Sequence, residues 1–159
     1  MPELLRLLER DCSLSHKQMA SMLGLSEDEV DSAIADYEKS GVIMRYRAVV
    51  DWEKAGGEMV RALIDVRVTP QHKEGFDRVA ARIYHFDEVE SMYLCSGGYD
   101  LSVLVTGKTM KDVALFVSEK LAPLESVTGT ATHFLLKRYK EGGMIFEKPV
   151  PQQERIMMV

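Results

Sequence analysis

Two stretches of the chain gather residues whose types and spacing can do chemistry. Residues 24–41, GLSEDEVDSAIADYEKSG, carry six acids (Glu27, Asp28, Glu29, Asp31, Asp36, Glu38) and one base, Lys39. Residues 96–100, SGGYD, set two glycines beside Tyr99 and Asp100. A carboxylate such as Asp100 can hold an ammonium group, and the backbone N–H groups of Gly97 and Gly98 can hold a carboxylate. Thr130 and Thr132, two apart near the end of the patterned region, add hydroxyls. The same Gly-Gly equally suits a tight turn that needs positive φ. These residues by themselves fit both uses.

Other chemistries find no support. His16, His72, His85 and His133 lack metal-ligand spacing. Ser96 lacks the G-x-S-x-G setting of a hydrolase nucleophile. There is no phosphate-cradling loop and no dinucleotide fingerprint. No catalytic residue, metal or cofactor is expected. Cys12 and Cys95 form no C-x-x-C pair and read as reduced thiols. The ten methionines read as packing residues at core-facing helical positions. No apolar run approaches the ~18 residues of a membrane span. Charges interrupt the leucines of residues 1–10, which argues against a secretory signal and for the cytoplasm. A net charge of −5 gives no overall basic footprint for nucleic acid.

These residues need elements to position them. Helices are expected over about 3–10, from Ser15 to Gly24 and from Ser26 to Gly41. Ser15 with Gln18 and Ser26 with Glu29 have the form of capping boxes. Val30, Ala33, Ile34 and Tyr37 mark the buried face of the third helix, leaving Asp28, Ser32, Ala35 and Lys39 outward. Two helices joined by Gly-Leu-Ser are a helix-turn-helix in outline. Residues 42–52, VIMRYRAVVDW, read as a wing or linker strand with Arg45 and Arg47 on one side.

From residue 58 the pattern alternates. A strand over 60–68 leads to a helix opening at Thr69-Pro70 that turns Phe76, Val79, Ala80 and Ile83 inward. Strands over 88–95 and 101–106 flank the glycine-rich hairpin. Thr109 caps a helix with Met110, Val113, Val117 and Leu121 inward, and residues 127–139 form the last strand. The order is β-α-β-β-α-β, the ferredoxin-like unit, so the fold class is α+β. The expected division is 1–50 helix-turn-helix, 51–57 linker, 58–139 βαββαβ domain, and 140–159 an extended or partly disordered tail.

The motif S-x-x-x-M-A-x-x-L-G-L-S (Ser15 to Ser26), the following V-x-x-x-I-x-x-Y-E-x-x-G-V-I, the SGGYD hairpin and Val127-x-x-Thr130-x-Thr132 occur in one order. Over roughly residues 3–139 the chain thereby resembles the Lrp/AsnC family of feast/famine transcription regulators. The resemblance implies a homodimer whose C-terminal sheets pair, with tetramers or octamers as further assemblies. It also implies a small-molecule effector, commonly an amino acid, bound near the hairpin by Gly97, Gly98, Tyr99, Asp100, Thr130 and Thr132. The family's hairpin usually reads Gly-Asp-Tyr-Asp, and here glycine replaces the first acid.

DNA is the partner implied for the N-terminal domain, yet residues 1–50 hold six bases against nine acids. His16 and Lys17 open a helix whose N-terminus can hold a phosphate. Arg45 and Arg47 can hold another, and Ser26, Asp28, Ser32 and Lys39 lie on the third helix. Carboxylates near the DNA backbone oppose binding, although Asp can accept from cytosine N4. Weak, salt-sensitive DNA binding is expected, and the alternative is a metabolite-sensing oligomer whose helix-turn-helix no longer binds DNA. Sirohaem decarboxylases resemble the same layout and bind an acidic tetrapyrrole with basic and His residues. His72, Arg82 and His85 are available here but ungrouped, so no enzyme is expected.

Overall fold

A computed structural model describes residues 1–57, 59–70 and 75–146. The chain divides into two compact units, Met1–Val50 joined by the segment from Lys140, and Asp51–Tyr139. The first unit is built on three helices: α1 (Pro2–Arg10), α2 (His16–Leu23) and α3 (Glu27–Lys39). Both expected capping boxes are formed. Ser15 Oγ accepts from the Gln18 N–H while Gln18 Oε1 accepts from the Ser15 N–H at 2.8 Å. Ser26 and Glu29 repeat the arrangement, again with a 2.8 Å return bond. Gly24 ends α2 in the left-handed conformation at φ 68°, which a residue with a Cβ adopts at a cost. Leu4, Leu8, Met19, Ala20, Val30 and Ile34 are buried together as the core of the three helices.

The second unit is a four-stranded sheet with two helices on one face. Its strands are β1 (Val60–Val68), β2 (Val89–Leu94), β3 (Leu101–Gly107) and β4 (Val127–Phe134), in the order β2-β3-β1-β4 with every pair antiparallel. Helix α4 (Asp77–Tyr84) links β1 to β2. Helix α5 (Met110–Leu115), continued by π-helical turns over Phe116–Leu121, links β3 to β4. Alternation sends Ala62, Ile64, Val66 and Val68 of β1 and Leu101, Val103 and Val105 of β3 to the helical side, all buried with Val79, Ile83, Val113, Phe116 and Leu121. The other side of the sheet carries half-buried Arg61, Leu63, Asp65, Ser102 and Leu104. There Arg61 forks onto Glu90 at 2.6 and 2.7 Å. Asp65 accepts from Ser102 Oγ at 3.2 Å and faces His133 Nε2 at 3.3 Å.

Several elements differ from the expectation. The helix after β1 begins at Asp77, not at Pro70. Thr69 is held to the Ser126 carbonyl (2.9 Å), Gly75 sits at φ 56°, and Phe76 is the N-cap. Residues 71–74 lie outside the described residues, His72 among them. Residues 44–50 carry no assigned strand, because the three elements before them are helices and offer no strand edge. The last strand stops at Phe134, after which Leu135 N–H bonds the Arg61 carbonyl at the start of β1.

Of the tail, Lys140–Glu141 (β5) and Met144–Ile145 (β6) form a hairpin turned by Gly142 and Gly143, both at positive φ. Residues 147–159 lie outside the description. The methionines are not mainly core: Met19 is buried and Met92 packs on the core, but Met1, Met22, Met44, Met59, Met110 and Met144 are exposed. Met110 stands in the first turn of α5, where Val113 faces the core instead. The π-helical turns, with their i→i+5 spacing, then put Phe116 and Leu121 on that same side.

Candidate functional site

On α3 the acids divide into tied and untied groups. Glu29 is spent on its capping box, and the Ser26 N–H and hydroxyl bonds hold its carboxyl below the ordinary glutamate range. Asp31 Oδ1 pairs with His16 Nδ1 at the start of α2. Glu38 accepts from the Tyr46 hydroxyl at 2.9 Å, and burial with that bond pushes the Tyr46 phenol up. Asp31 and Glu38 therefore orient neighbours on one flank of the helix. Glu27, Asp28 and Asp36 are exposed and have no side-chain partner among the described residues.

The residues expected to meet DNA are distributed unevenly. Asp28, Ser32 and Lys39 lie exposed on α3, and Lys17 is exposed in the first turn of α2. Ser26 is committed to Glu29 and His16 to Asp31, so neither is free for phosphate without breaking an internal bond. His16 and Asp31 line a hollow of about 370 Å³ with Leu8, Cys12, Glu38 and Tyr46. Arg45 and Arg47 line a neighbouring hollow of about 480 Å³, which shares Leu8, Cys12 and Tyr46. Tyr46 thus stands between the His16 side and the arginine side, while Lys17 lines neither hollow. The links Asp31–His16 and Glu38–Tyr46 join residues 15 and 8 apart, and no local pattern announces them.

In the second unit the hairpin between β2 and β3 is fastened to β1. Asp100 N–H bonds the Val66 carbonyl (3.0 Å), Cys95 N–H bonds the Asp100 carbonyl (2.8 Å), and Asp100 Oδ2 accepts from the Val68 N–H at 2.8 Å. Arg67, which the sequence reading left out of the site, donates from Nη2 to the Gly98 carbonyl at 2.9 Å. Its guanidinium lies 5.1 Å from the centre of the Tyr99 ring. A Cβ at Gly97 or Gly98 would meet nothing within 4 Å, and Gly98 has no positive φ. Thr130 is the β4 partner of Val66, so it and Asp100 flank β1 about two strand spacings, ~10 Å, apart. Thr132 pairs with Ile64 two residues further along, so both threonines lie on the helical side of the sheet, the face opposite to Arg67. The structure therefore groups Gly98, Tyr99 and Asp100 with Arg67, and sets Thr130 and Thr132 on the opposite face of the sheet.

Near the alternative tetrapyrrole residues, His85 Nδ1 bonds the Ala81 carbonyl at 2.6 Å as the cap of α4, and Arg82 is exposed. Among the described residues no three His, Cys, Asp or Glu side chains are grouped to hold a metal. No helix there is long and apolar enough to cross a membrane.

With this geometry in hand, comparison with known proteins is decisive. The family model described as the Lrp/AsnC ligand binding domain matches residues 61–145. The HTH-type transcriptional regulator YugG of Bacillus subtilis is 51% identical over 146 residues, 91% of this chain and 88% of that protein. The chain belongs to the Lrp/AsnC family. Like the relatives so named, it is a transcriptional regulator with a ligand-binding domain, not an enzyme. The crystal structure of an AsnC family regulator from Agrobacterium tumefaciens is similar at TM-score 0.70 and 25% identity, covering 93% of this chain and 94% of that one. A Neisseria meningitidis regulator solved as an L-Met complex has the same fold at TM-score 0.71 and 21% identity, with 92% of each chain covered. In this Lrp/AsnC chain the α+β fold thus joins a helix-turn-helix unit to a ferredoxin-like ligand-binding unit.

Proposed function

We propose that this regulator binds DNA through α2 and α3 and responds to an amino acid held at the β2–β3 hairpin, acting in the cytoplasm as a homodimer or a larger assembly. The observation that carries the DNA reading is the capped α2–α3 pair in a unit that exposes Lys17, Lys39 and Arg45. Asp31 and Glu38 are oriented by His16 and Tyr46 without losing their charge, and Lys17, Lys39 and Arg45 stay exposed to meet phosphates. Affinity is weak and salt-dependent, since the carboxylates of α3 oppose phosphate binding. Two helix-turn-helix units in one dimer offset this by avidity.

The amino-acid reading is supported by the match to the family's ligand-binding domain and by the charged groups at the hairpin. Leu63 and Leu104, half-buried on the sheet side away from the helices, support pairing of two sheets. The test is a salt-titrated mobility-shift assay on the promoter of its own gene, with and without each amino acid. Retardation at low salt that an amino acid alters is expected; no retardation at any salt overturns the DNA reading.

The three unpartnered acids of α3 favour a second reading, a metabolite-sensing oligomer that does not bind DNA. Under it Asp28→Lys creates DNA affinity where the wild type has none. Tight, site-specific binding by the wild type removes it.

A further inference from the structure

We propose that Arg67 binds the carboxylate of the effector, and that Arg67 and Asp100 together clamp a zwitterionic α-amino acid. This rests on the amino-acid reading above and adds to it the anion-recognising residue. Arg67 and Asp100 carry opposite charges at the base of one hairpin, yet the structure holds no ion pair between them. Each is instead held by a neutral backbone group: Arg67 by the Gly98 carbonyl and Asp100 by the Val68 N–H. Two opposite charges fixed side by side and left unpaired suit a ligand carrying both complements.

The guanidinium is ready for that use. Its contact with the Tyr99 ring and its single bond to Gly98 limit its rotation. A guanidinium carries several N–H donors in a planar fork that matches a carboxylate, and the Gly98 bond uses one. Asp100 keeps Oδ1, which has no partner among the described residues, for an ammonium group. Space is available: Gly97 and Gly98 present no side chain, and Gly129, the β4 partner of Arg67, presents none beside it. The backbone N–H groups of the two glycines then act as helpers to Arg67, and Thr130 and Thr132, on the opposite face of the sheet, take no part in the clamp.

The test is isothermal titration of the full chain with a panel of L-amino acids, followed by the amide of whichever binds. Wild type binds the acid and loses about ten- to a hundred-fold for the amide, the loss expected when a charged hydrogen bond is removed. Arg67→Gln weakens the acid by a similar factor and no longer distinguishes acid from amide. Arg67→Lys, which keeps the charge without the fork, falls between and guards against a folding defect in the first variant. Equal binding by Arg67→Gln and wild type overturns the proposal. So does equal weakening of acid and amide, which assigns Arg67 to hairpin positioning alone. If the wild type binds no amino acid of the panel, the amino-acid reading fails and this proposal fails with it.

Discussion

The six acids of α3 look alike in sequence and differ in what they do. Asp28 is exposed and unpartnered among the described residues, whereas Asp31 holds His16 across the α2–α3 junction. Reversing Asp28 to lysine is therefore expected to raise DNA affinity severalfold at low salt and leave the melting temperature unchanged. Asp31→Ala is expected to lower stability by roughly 0.2–1 kcal/mol, the usual worth of an exposed ion pair. Mobility shift and thermal unfolding of the two variants separate these outcomes; equal melting temperatures for both would show that the His16 pair contributes nothing. The sequence placed Asp31 on a flank of the helix from its 100° steps. That His16 waits there depends on how α2 crosses α3, which no spacing within either helix encodes. Arg67 escaped notice for the same reason: it reads as an outward strand residue until the hairpin folds over it.

At the scale of elements, caps and glycines were legible because their chemistry is local. The Ser26–Glu29 box was readable from four residues, and it starts α3 in place. Ser26→Ala is expected to cost about 1 kcal/mol, read from denaturant unfolding. The box also sets a pH dependence. Glu29 has a depressed carboxyl in the folded chain, so its contribution is complete above the unfolded glutamate range near about 4. The contribution is lost as pH falls through the lower folded value. Acidification should therefore destabilise the wild type more than Glu29→Gln, and parallel pH profiles for the two would contradict this.

Elements set by longer-range contacts were less legible. Thr69-Pro70 has the form of a helix start, but Thr69 is drawn to Ser126 and the helix waits for Phe76. The stretch 42–52 has strand-like residues, and Tyr46 instead turns to Glu38. The inward face of α5 was legible at Val113, Val117 and Leu121; Met110 is exposed in the first turn, and the π-helical turns add Phe116 to the core.

The whole molecule is organised by two separate cores and one half-open sheet. The sheet side away from the helices mixes Leu63 and Leu104 with the Arg61–Glu90 fork and the Asp65–Ser102–His133 cluster. A charge at Leu104 on that side is expected to break dimer pairing. Leu104→Glu should sediment as a monomer where the wild type sediments as a dimer or larger, with its circular dichroism retained. An unchanged sedimentation coefficient would place the interface elsewhere. Loss of the dimer should also flatten the dependence of DNA binding on protein concentration, because avidity requires both helix-turn-helix units on one assembly.

Order and spacing along the chain were enough to specify the two-part architecture, the helix-turn-helix, the βαββαβ sequence of elements and the family they belong to. The elements rest on periodicity, caps and turn residues, which act over a few positions, and the family on the resemblance of the ordered motifs to known regulators. The partner of each charged group was decided only by the tertiary structure. Asp31 meets His16, Glu38 meets Tyr46 and the hairpin acid meets the Val68 amide, through bonds that join distant residues. A one-dimensional pattern can say which face a carboxylate lies on. Which group stands opposite it is a property of how the faces pack.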